Sequence, residues 1–281
     1  KILVDTFEKY GFEPAETPVI EYEEFVKGEN QNDEAVSDIF KLKDRGKRDL
    51  ALRYEFTFQL KRLAKNKKLP YKRYQIGEVF RDEPVSLNRF RQFIQCDVDV
   101  VGSTIKDEAE ILKIVENILD KLELNGIIYV GNRKLLNEIL DEQKIKEKDK
   151  EQVLREIDKL DKLDEKEIKN NLRKFGAEKI LEIFKKPESY FKKYNAYKEV
   201  EELKKICKIY NVGIKFSPSL VRGLSYYNGN VFEIKGKEIR ETLIAGGSYL
   251  VEGNQATGIS FGLDRLMNLA KIKNPKEKFL I

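Results

Sequence analysis

Apolar and polar residues alternate with a two-residue period along residues 90–101. Ile94, Cys96, Val98 and Val100 fall on one face of a strand, and Arg91, Gln95, Asp97 and Asp99 on the other. The apolar face predicts core. A solvated opposite face would be filled by Lys, Glu and Thr, whereas Arg, Gln and Asp, with their fixed donor and acceptor geometry, suit recognition of a ligand. Residues 73–101 read together as a β-hairpin whose connection, RDEPVSLNR over residues 81–89, is too long for a two-residue turn and is rich in charge. Arg81, Arg89 and Arg91 put three guanidinium forks on this hairpin, a geometry matched to phosphate. Arg81 follows the apolar pair Val79 and Phe80, so it is expected to emerge near the core.

Elsewhere the pattern predicts a helix over residues 2–10, with Leu3, Phe7 and Tyr10 at helical spacing, that stops at Gly11 and gives way to an extended segment over 17–20. Residues 39–42 and 50–53 read as strands around the turn Asp44-Arg45-Gly46, and 55–63 as a helix. A longer helix over 106–124 buries Ala109, Ile111, Leu112, Val115, Ile118, Leu119 and Leu122, and a strand follows over 126–130. From about residue 134 to 193 the composition shifts to Lys/Glu-rich helical stretches, with Leu154, Ile157, Leu160 and Leu163 at helical spacing, which reads as a separate helical module. Beyond it come a helix (200–210), a strand (214–216) and the arms of another hairpin (231–234 and 241–245). Several hairpins, with helices out of strict alternation, predict an antiparallel-rich α+β fold rather than a doubly wound one.

Composition narrows the chemistry. The 281 residues are 41% hydrophobic and 37% charged, the balance of a globular, highly charged protein, and the many Lys and Glu with one Met and no Trp point to a thermophile. With no histidine in the chain, Ser-His-Asp and Cys-His catalysis and His-ligated zinc are excluded. Neither G-x-x-x-x-G-K-[ST] nor G-x-G-x-x-G occurs, so a nucleotide would not be held by either common glycine loop. Cys96 and Cys207 make neither a disulfide framework nor a metal cluster, which makes a reducing cytosol the expected compartment. No apolar run approaches about 18 residues, and no signal peptide opens the chain. Net charge is a mild +5, yet Lys61, Arg62, Lys65, Lys67, Lys68, Lys72 and Arg73 fall in thirteen residues without an acid, a possible nucleic-acid patch or a solvated helix end. A start at Lys1 rather than Met is that of a fragment or processed chain.

Near the end, GISFGLDRL sets Gly258 and Gly262 where a ligand can approach a strand. Arg265 falls in the first turn of a helix continued by Leu266, Met267, Leu269 and Ala270. A helix N-terminus with a guanidinium attracts a terminal phosphate.

These segments carry a resemblance. FRDEPVSLNRFRQF resembles motif 2 of the class II aminoacyl-tRNA synthetases, and LVRGLSYYNGNVFE (220–233) is similar to the loop peculiar to the histidyl-tRNA synthetase family. AGGSYL (245–250) and TGISFGLDRL (257–266) resemble that family's glycine pair with tyrosine and its motif 3. LRYEFT (52–57) is similar to its amino-acid-binding segment, and GFEPAETPVIEY (11–22) to motif 1, with Pro18 in the expected place. They occur in the family's order and cover most of the chain. Two positions depart: Ser225 stands where the family has Asp, and Asp99 where many bacterial members have Glu.

The resemblance implies a class II synthetase-like antiparallel sheet flanked by helices, with a catalytic domain in two parts (residues 1–133 and 194–281). Between them, residues 134–193 would be a helical insertion domain that clasps the acceptor stem. It also implies a catalytic core lacking the anticodon-binding domain, cytoplasmic and homodimeric through motif 1. This core would activate histidine to histidyl-adenylate with ATP and Mg2+ and transfer it to the acceptor end of tRNA(His). Arg81 matches the arginine at the α-phosphate, Arg265 the one at the γ-phosphate, and Arg222 the one that stands in for a metal ion near the α-phosphate. Glu83 and Arg89 belong with the ATP site. Glu55, Thr57 and Gln95 match positions that hold the α-amino group, while Asp99, Tyr226, Tyr227 and Tyr249, with Arg222, match the histidine pocket. Neutral imidazole has one donor and one acceptor nitrogen, so a carboxylate and a phenol can read its two ends. Two other functions stay open. One is the non-acylating, synthetase-like regulatory subunit of ATP phosphoribosyltransferase in histidine biosynthesis; the other is a binding module for RNA or protein.

Overall fold

The alternating stretch folds as expected, into the second of two ten-residue antiparallel strands, β5 (Tyr71–Phe80) and β6 (Gln92–Val101), paired along their whole length. The computed structural model describes residues 1–27, 36–85, 90–222, 226–236 and 242–270. Before this hairpin come α1 (Ile2–Lys9), β1 (Glu13–Pro14), β2 (Ile20–Tyr22), α2 (Glu23–Lys27), β3 (Lys41–Lys43), β4 (Asp49–Leu52) and α3 (Leu60–Ala64). After it come α4 (Ile105–Lys121), β7 (Gly126–Asn132), α5 (Arg133–Glu142), α6 (Glu147–Asp158), α7 (Glu165–Arg173), α8 (Ile180–Phe184), α9 (Glu188–Phe191) and α10 (Tyr197–Ile209). Strands β8 (Ile214–Phe216), β9 (Tyr227–Gly236), β10 (Thr242–Val251) and β11 (Asn254–Gly262) and helix α11 (Leu263–Leu269) complete the described chain.

Eight strands form one sheet in the order β1-β5-β6-β11-β10-β9-β7-β8, while β2, β4 and β3 make a small separate sheet. Among the described strands only β1 with β5 and β7 with β8 run parallel, so the fold is α+β and antiparallel-rich. The apolar face is covered by α1, α4 and α10. Phe7, Ile111, Ile114, Val115 and Leu203 pack there on Cys96, Val98, Phe232, Ile234 and Phe261. Each fully buried Leu, Ile or Phe of this layer contributes roughly 1.5–3 kcal/mol, which makes the layer the rigid backing of the opposite face. Helix α4 starts where the Thr104 N–H donates to Asp107 Oδ2 at 2.8 Å, a capping box. Behind the sheet the buried Glu108 accepts from Asn230 and Ser248 at 2.8 and 2.5 Å, which ties α4 to β9 and β10; burial pushes its carboxyl up to about 7.

Helices α5 to α10 enclose a second apolar cluster that runs from Leu135 through Leu154, Ile168, Phe191 and Val200 and takes in Val221 after β8. Among the described residues no helix is long and apolar enough to cross a membrane.

Two local expectations fail. The extended segment at 17–20 is not one strand: pairing occurs at Glu13–Pro14 and again at Ile20–Tyr22. Between them the backbone is held by Arg53, whose Nη1 donates to the Thr17 carbonyl at 2.6 Å and whose Nε and Nη2 donate to the Glu78 carbonyl at 3.0 and 2.8 Å. Gly77 makes room for that guanidinium, because a Cβ there would lie 2.8 Å from Arg53 Nη2. The helix expected over 55–63 begins only at Leu60, because the Glu55 carboxylate captures the Phe58 N–H and holds 55–59 as a turn.

Candidate active site

On the face away from α4, the β6 residues Gln95, Asp97 and Asp99 are 4%, 2% and 2% exposed, so the polar row is a buried site rather than a solvated edge. Strand register supplies its neighbours. On β5, Gly77, Gln75 and Arg73 lie opposite Gln95, Asp97 and Asp99; on β11, Gly262, Ser260 and Gly258 do. Gly258 is required by close approach: a Cβ there would sit 1.9 Å from Asp99 Oδ1. Asp99 Oδ1 accepts the Tyr249 hydroxyl, and Oδ2 lies 2.7 Å from Arg73 Nη2.

Glu55 reaches the same space from the turn after β4, where Thr57 hydrogen-bonds its carboxylate. Burial, with Asp97 nearby, pushes Glu55 up to about 8; burial, with Asp99, pushes Asp97 up to about 7. Asp99 is also raised by burial, against the pull of Arg73. Glu55 and Asp97, which hold their protons this tightly, mark a pocket short of positive charge, one ready for a cationic group. Gln95 is oriented from both ends: its Oε1 accepts from Arg81 Nη2 at 3.2 Å, and its Nε2 donates to the Asp97 oxygens at 3.0 and 3.1 Å. Tyr226, Tyr227 and Tyr249 cluster with ring centroids 4.7, 5.4 and 6.4 Å apart. Burial pushes Tyr227 up to about 12 and the other two well above their usual range, so all three hydroxyls stay protonated donors near neutral pH. A Cβ on Gly247 would meet the Tyr227 ring at 2.9 Å.

Two arginines, Arg81 and Arg222, rim this pocket, and a third, Arg265, lies beyond them. The Arg81 guanidinium lies over the Tyr54 and Phe93 rings at 4.6 and 5.0 Å. Arg222 Nη1 meets Glu233 Oε1 at 3.3 Å, and Glu233 also accepts the Thr242 hydroxyl, while Arg265 donates to the Thr242 carbonyl. Arg222 and Arg265 are thus joined through one carboxylate and one threonine. Among the described residues, Arg81 Nε and Arg222 Nε are buried without a hydrogen-bond partner. Helix α11 has only seven residues, so the guanidinium of Arg265, more than the helix end, would attract a phosphate.

The structure therefore brings Glu55, Thr57, Gln95, Asp99, Tyr226, Tyr227 and Tyr249 to one pocket, with Arg81 and Arg222 at its edge and Arg265 beyond. Glu83 lies near Tyr54, beside Arg81. Arg89, Gly223 and Ser225 fall outside the described residues, so only two of the three guanidinium forks expected on the hairpin are described. Arg91 is not in the buried row; it is exposed, 3.7 Å from Asp82. Ile94, expected in the core, is 38% exposed because it stands where β6 leaves the α4 layer and its N–H donates to Asp264.

Two residues of the site were missed from sequence. Asp97 was read into the polar row but given no role. Arg73 was counted in the basic run, yet its exposure is 0%, and Lys72 and Lys67 of that run pair with Glu110 and Glu13 at 2.5 and 3.0 Å. Among the described residues no three His, Cys, Asp or Glu side chains could cage a metal ion.

The chain is similar to known proteins. Residues 1–266 match the sequence profile described as Histidyl-tRNA synthetase. Histidine–tRNA ligase 1 of Bacillus cereus (strain ATCC 14579) is 35% identical over 294 aligned residues, covering 92% of this chain and 69% of that protein. The histidine–tRNA ligase of Korarchaeum cryptofilum is 32% identical, covering 94% and 68%. Among solved structures, histidyl-tRNA synthetase from Nostoc sp. PCC 7120 superposes with a TM-score of 0.81 at 25% identity, over 95% of this chain and 69% of that one. A Bacillus halodurans structure titled ATP phosphoribosyltransferase regulatory subunit/histidyl-tRNA synthetase shares the fold at a TM-score of 0.82 and 21% identity, over 97% and 78%.

Proposed function

The chain belongs to the histidyl-tRNA synthetase family, and from that premise we propose that its pocket activates histidine with ATP and passes the histidyl group to the acceptor end of tRNA(His). The observation that carries this reading is the Arg81–Gln95–Asp97 chain of contacts, which couples the expected α-phosphate arginine to the acidic pocket two residues from Asp99. Glu55 and the Gln95 carbonyl, with Thr57, would hold the α-ammonium, whose charge is what Glu55 and Asp97 lack. Asp99 would accept the ring N–H, and a tyrosine hydroxyl would donate to the other ring nitrogen.

The histidine carboxylate would then attack the α-phosphorus in line as diphosphate leaves. That step needs positioning and charge stabilisation, not a protein base. Arg81 and Arg222 would meet the charge at the α-phosphate, and Arg265 the γ-phosphate. The described side chains do not form a metal cage, so Mg2+ would enter on the phosphates of ATP, where it neutralises charge.

The same reading places the helical insertion at residues 134–193, clasping the acceptor stem between the two parts of the catalytic domain, in a cytoplasmic enzyme. Its apolar cluster supports a separate packing unit, one that also draws in Tyr197, Val200 and Val221 from beyond residue 193. Motif 1 would form a two-fold interface around Pro18, and the exposure of Val19, Ile20 and Tyr22 (37%, 52% and 46%) supports that placement. Sedimentation at micromolar concentration should show a dimer; a monomer would refute the interface.

Histidine-dependent ATP–diphosphate exchange is the deciding experiment. Exchange specific to histidine establishes activation. Histidine affinity indifferent to ATP, with no adenylate by mass spectrometry, would instead give the regulatory reading of the ATP phosphoribosyltransferase subunit.

A further inference from the structure

Among the described residues Arg73 is the largest fully buried side chain, and nothing in the proposed chemistry uses it. It lies on β5 directly opposite Asp99, with its Nη2 2.7 Å from Asp99 Oδ2 but not aligned as a hydrogen bond. Among the described residues none of its three nitrogens has a hydrogen-bond partner. A guanidinium is a permanent charge, and a buried one persists only where acids face it. Asp99 and Asp97 on β6 and Glu55 from the turn after β4 do so, as does the Tyr249 hydroxyl on β10. Tyr71 on β5 and Cys96 on β6 are the other titratable groups within its field, and β11 contributes only Gly258 and Ser260 opposite the two aspartates.

Resting on the histidine reading above, we infer that Arg73 is a positioning residue that holds Asp99 as a charged acceptor and thereby makes the pocket select a neutral, rather than a cationic, nitrogen ring. Without Arg73, the Asp99 carboxylate would be an uncompensated charge at the ring position and would pair best with an imidazolium. With Arg73 Nη2 2.7 Å from Asp99 Oδ2, the protein itself balances that charge, and a ring cation finds no free counter-charge there. A fixed carboxylate at Asp99 accepts a ring N–H. The protonated Tyr227 hydroxyl donates to a bare ring nitrogen, which an imidazolium does not possess, while the Tyr249 proton is engaged by Asp99. Charge balance and hydrogen-bond direction therefore select the same ring state.

The test compares histidine with 1,2,4-triazolylalanine, whose ring has the same shape and stays neutral where imidazole titrates. Both are measured by calorimetry on the whole chain. Protein groups that titrate act on both ligands and cancel in the ratio of their affinities. In the native protein the histidine/triazolylalanine ratio should fall about tenfold from pH ~8 to pH ~5.5, one unit below an imidazole pKa of about 6.5. In Arg73→Met the ratio should become flat or rise toward low pH, and Arg73→Lys should keep the fall. Arg73→Gln, which retains donors without charge, serves the same arm if the methionine variant does not fold. A ratio already flat in the native protein would overturn the inference. So would an unchanged tenfold fall in a folded Arg73→Met or Arg73→Gln, because a merely structural ion pair would cost stability without altering which ring state binds. Absence of binding by either amino acid to the native protein would overturn the histidine reading itself, and this inference with it.

Discussion

Replacing Asp99 by asparagine keeps the side-chain volume and removes one charge, so it separates recognition from packing. The lost carboxylate is the partner of Arg73 at 2.7 Å and the acceptor of the Tyr249 hydroxyl. Removing one member of a buried ion pair costs about 3–5 kcal/mol when nothing replaces it. Here Asp97 stands in reserve. After burial, Asp99 is the main reason its carboxyl stays high, so without Asp99 it ionises more readily and faces Arg73 in turn. The stability loss should therefore fall to about 1–3 kcal/mol, a drop in Tm on the order of several degrees. Recognition has no such reserve, because the Asp97 oxygens are engaged by Gln95 Nε2 at 3.0 and 3.1 Å. A hydrogen bond to a charged group contributes about 1.5–3 kcal/mol, so the histidine KM in ATP–diphosphate exchange should rise roughly tenfold to 150-fold. The KM for ATP should stay within about twofold, since Arg81 and Arg265 are untouched. A folded variant with an unchanged histidine KM would remove Asp99 from the pocket. Equal rises in both KM values would mean a collapsed site rather than a lost contact.

Arg222→Ala should lower kcat for adenylate formation by roughly a hundredfold or more with little change in either KM, and lysine should not rescue it. If the arginine merely ties its loop to Glu233, both KM values and the melting temperature will move instead. Gly258→Ala places a methyl 1.9 Å from Asp99 Oδ1 and 3.1 Å from the Val98 carbonyl. It should therefore abolish histidine binding measured by calorimetry while circular dichroism still shows a folded sheet; normal binding would show that the strands yield there. Glu55 and Asp97 are raised to about 8 and 7, so the folded protein binds protons more tightly than the unfolded chain across neutral pH. Stability of the ligand-free protein should thus fall as pH rises from about 6.5 to 8.5, by roughly 3 kcal/mol, with Glu108, also raised to about 7, contributing in the same direction. Glu55→Gln should flatten that slope in denaturant titrations, and an equal slope in the variant would place its origin elsewhere.

Sequence patterns carried the hairpin and the α4 layer because seven residues of strict alternation (94–100) and a seventeen-residue amphipathic helix leave little freedom for tertiary structure to override them. They also carried the acids and tyrosines of the pocket, chiefly through ordered motifs. They did not carry register. With a connection of undetermined geometry over residues 81–89, pairing across the hairpin could not be counted, and a one-residue slip would have turned Arg73 to the opposite face. In the chain, Arg73 is indistinguishable from the lysines before it; only the pairing with Asp99 separates a buried counter-charge from a surface cation. Glu55 illustrates the same limit locally. Phe56, Leu60 and Leu63 are spaced for a helix, yet one carboxylate that captures the Phe58 N–H is enough to hold a turn and aim itself at the pocket. Both failures concern charged groups that satisfy a partner distant in sequence or compete with the backbone, and both fall on the residues that set the charge of the site. The parts least legible in a single chain are thus the parts that decide which ligand charge the pocket accepts, because that charge is a sum over groups brought together only by the fold.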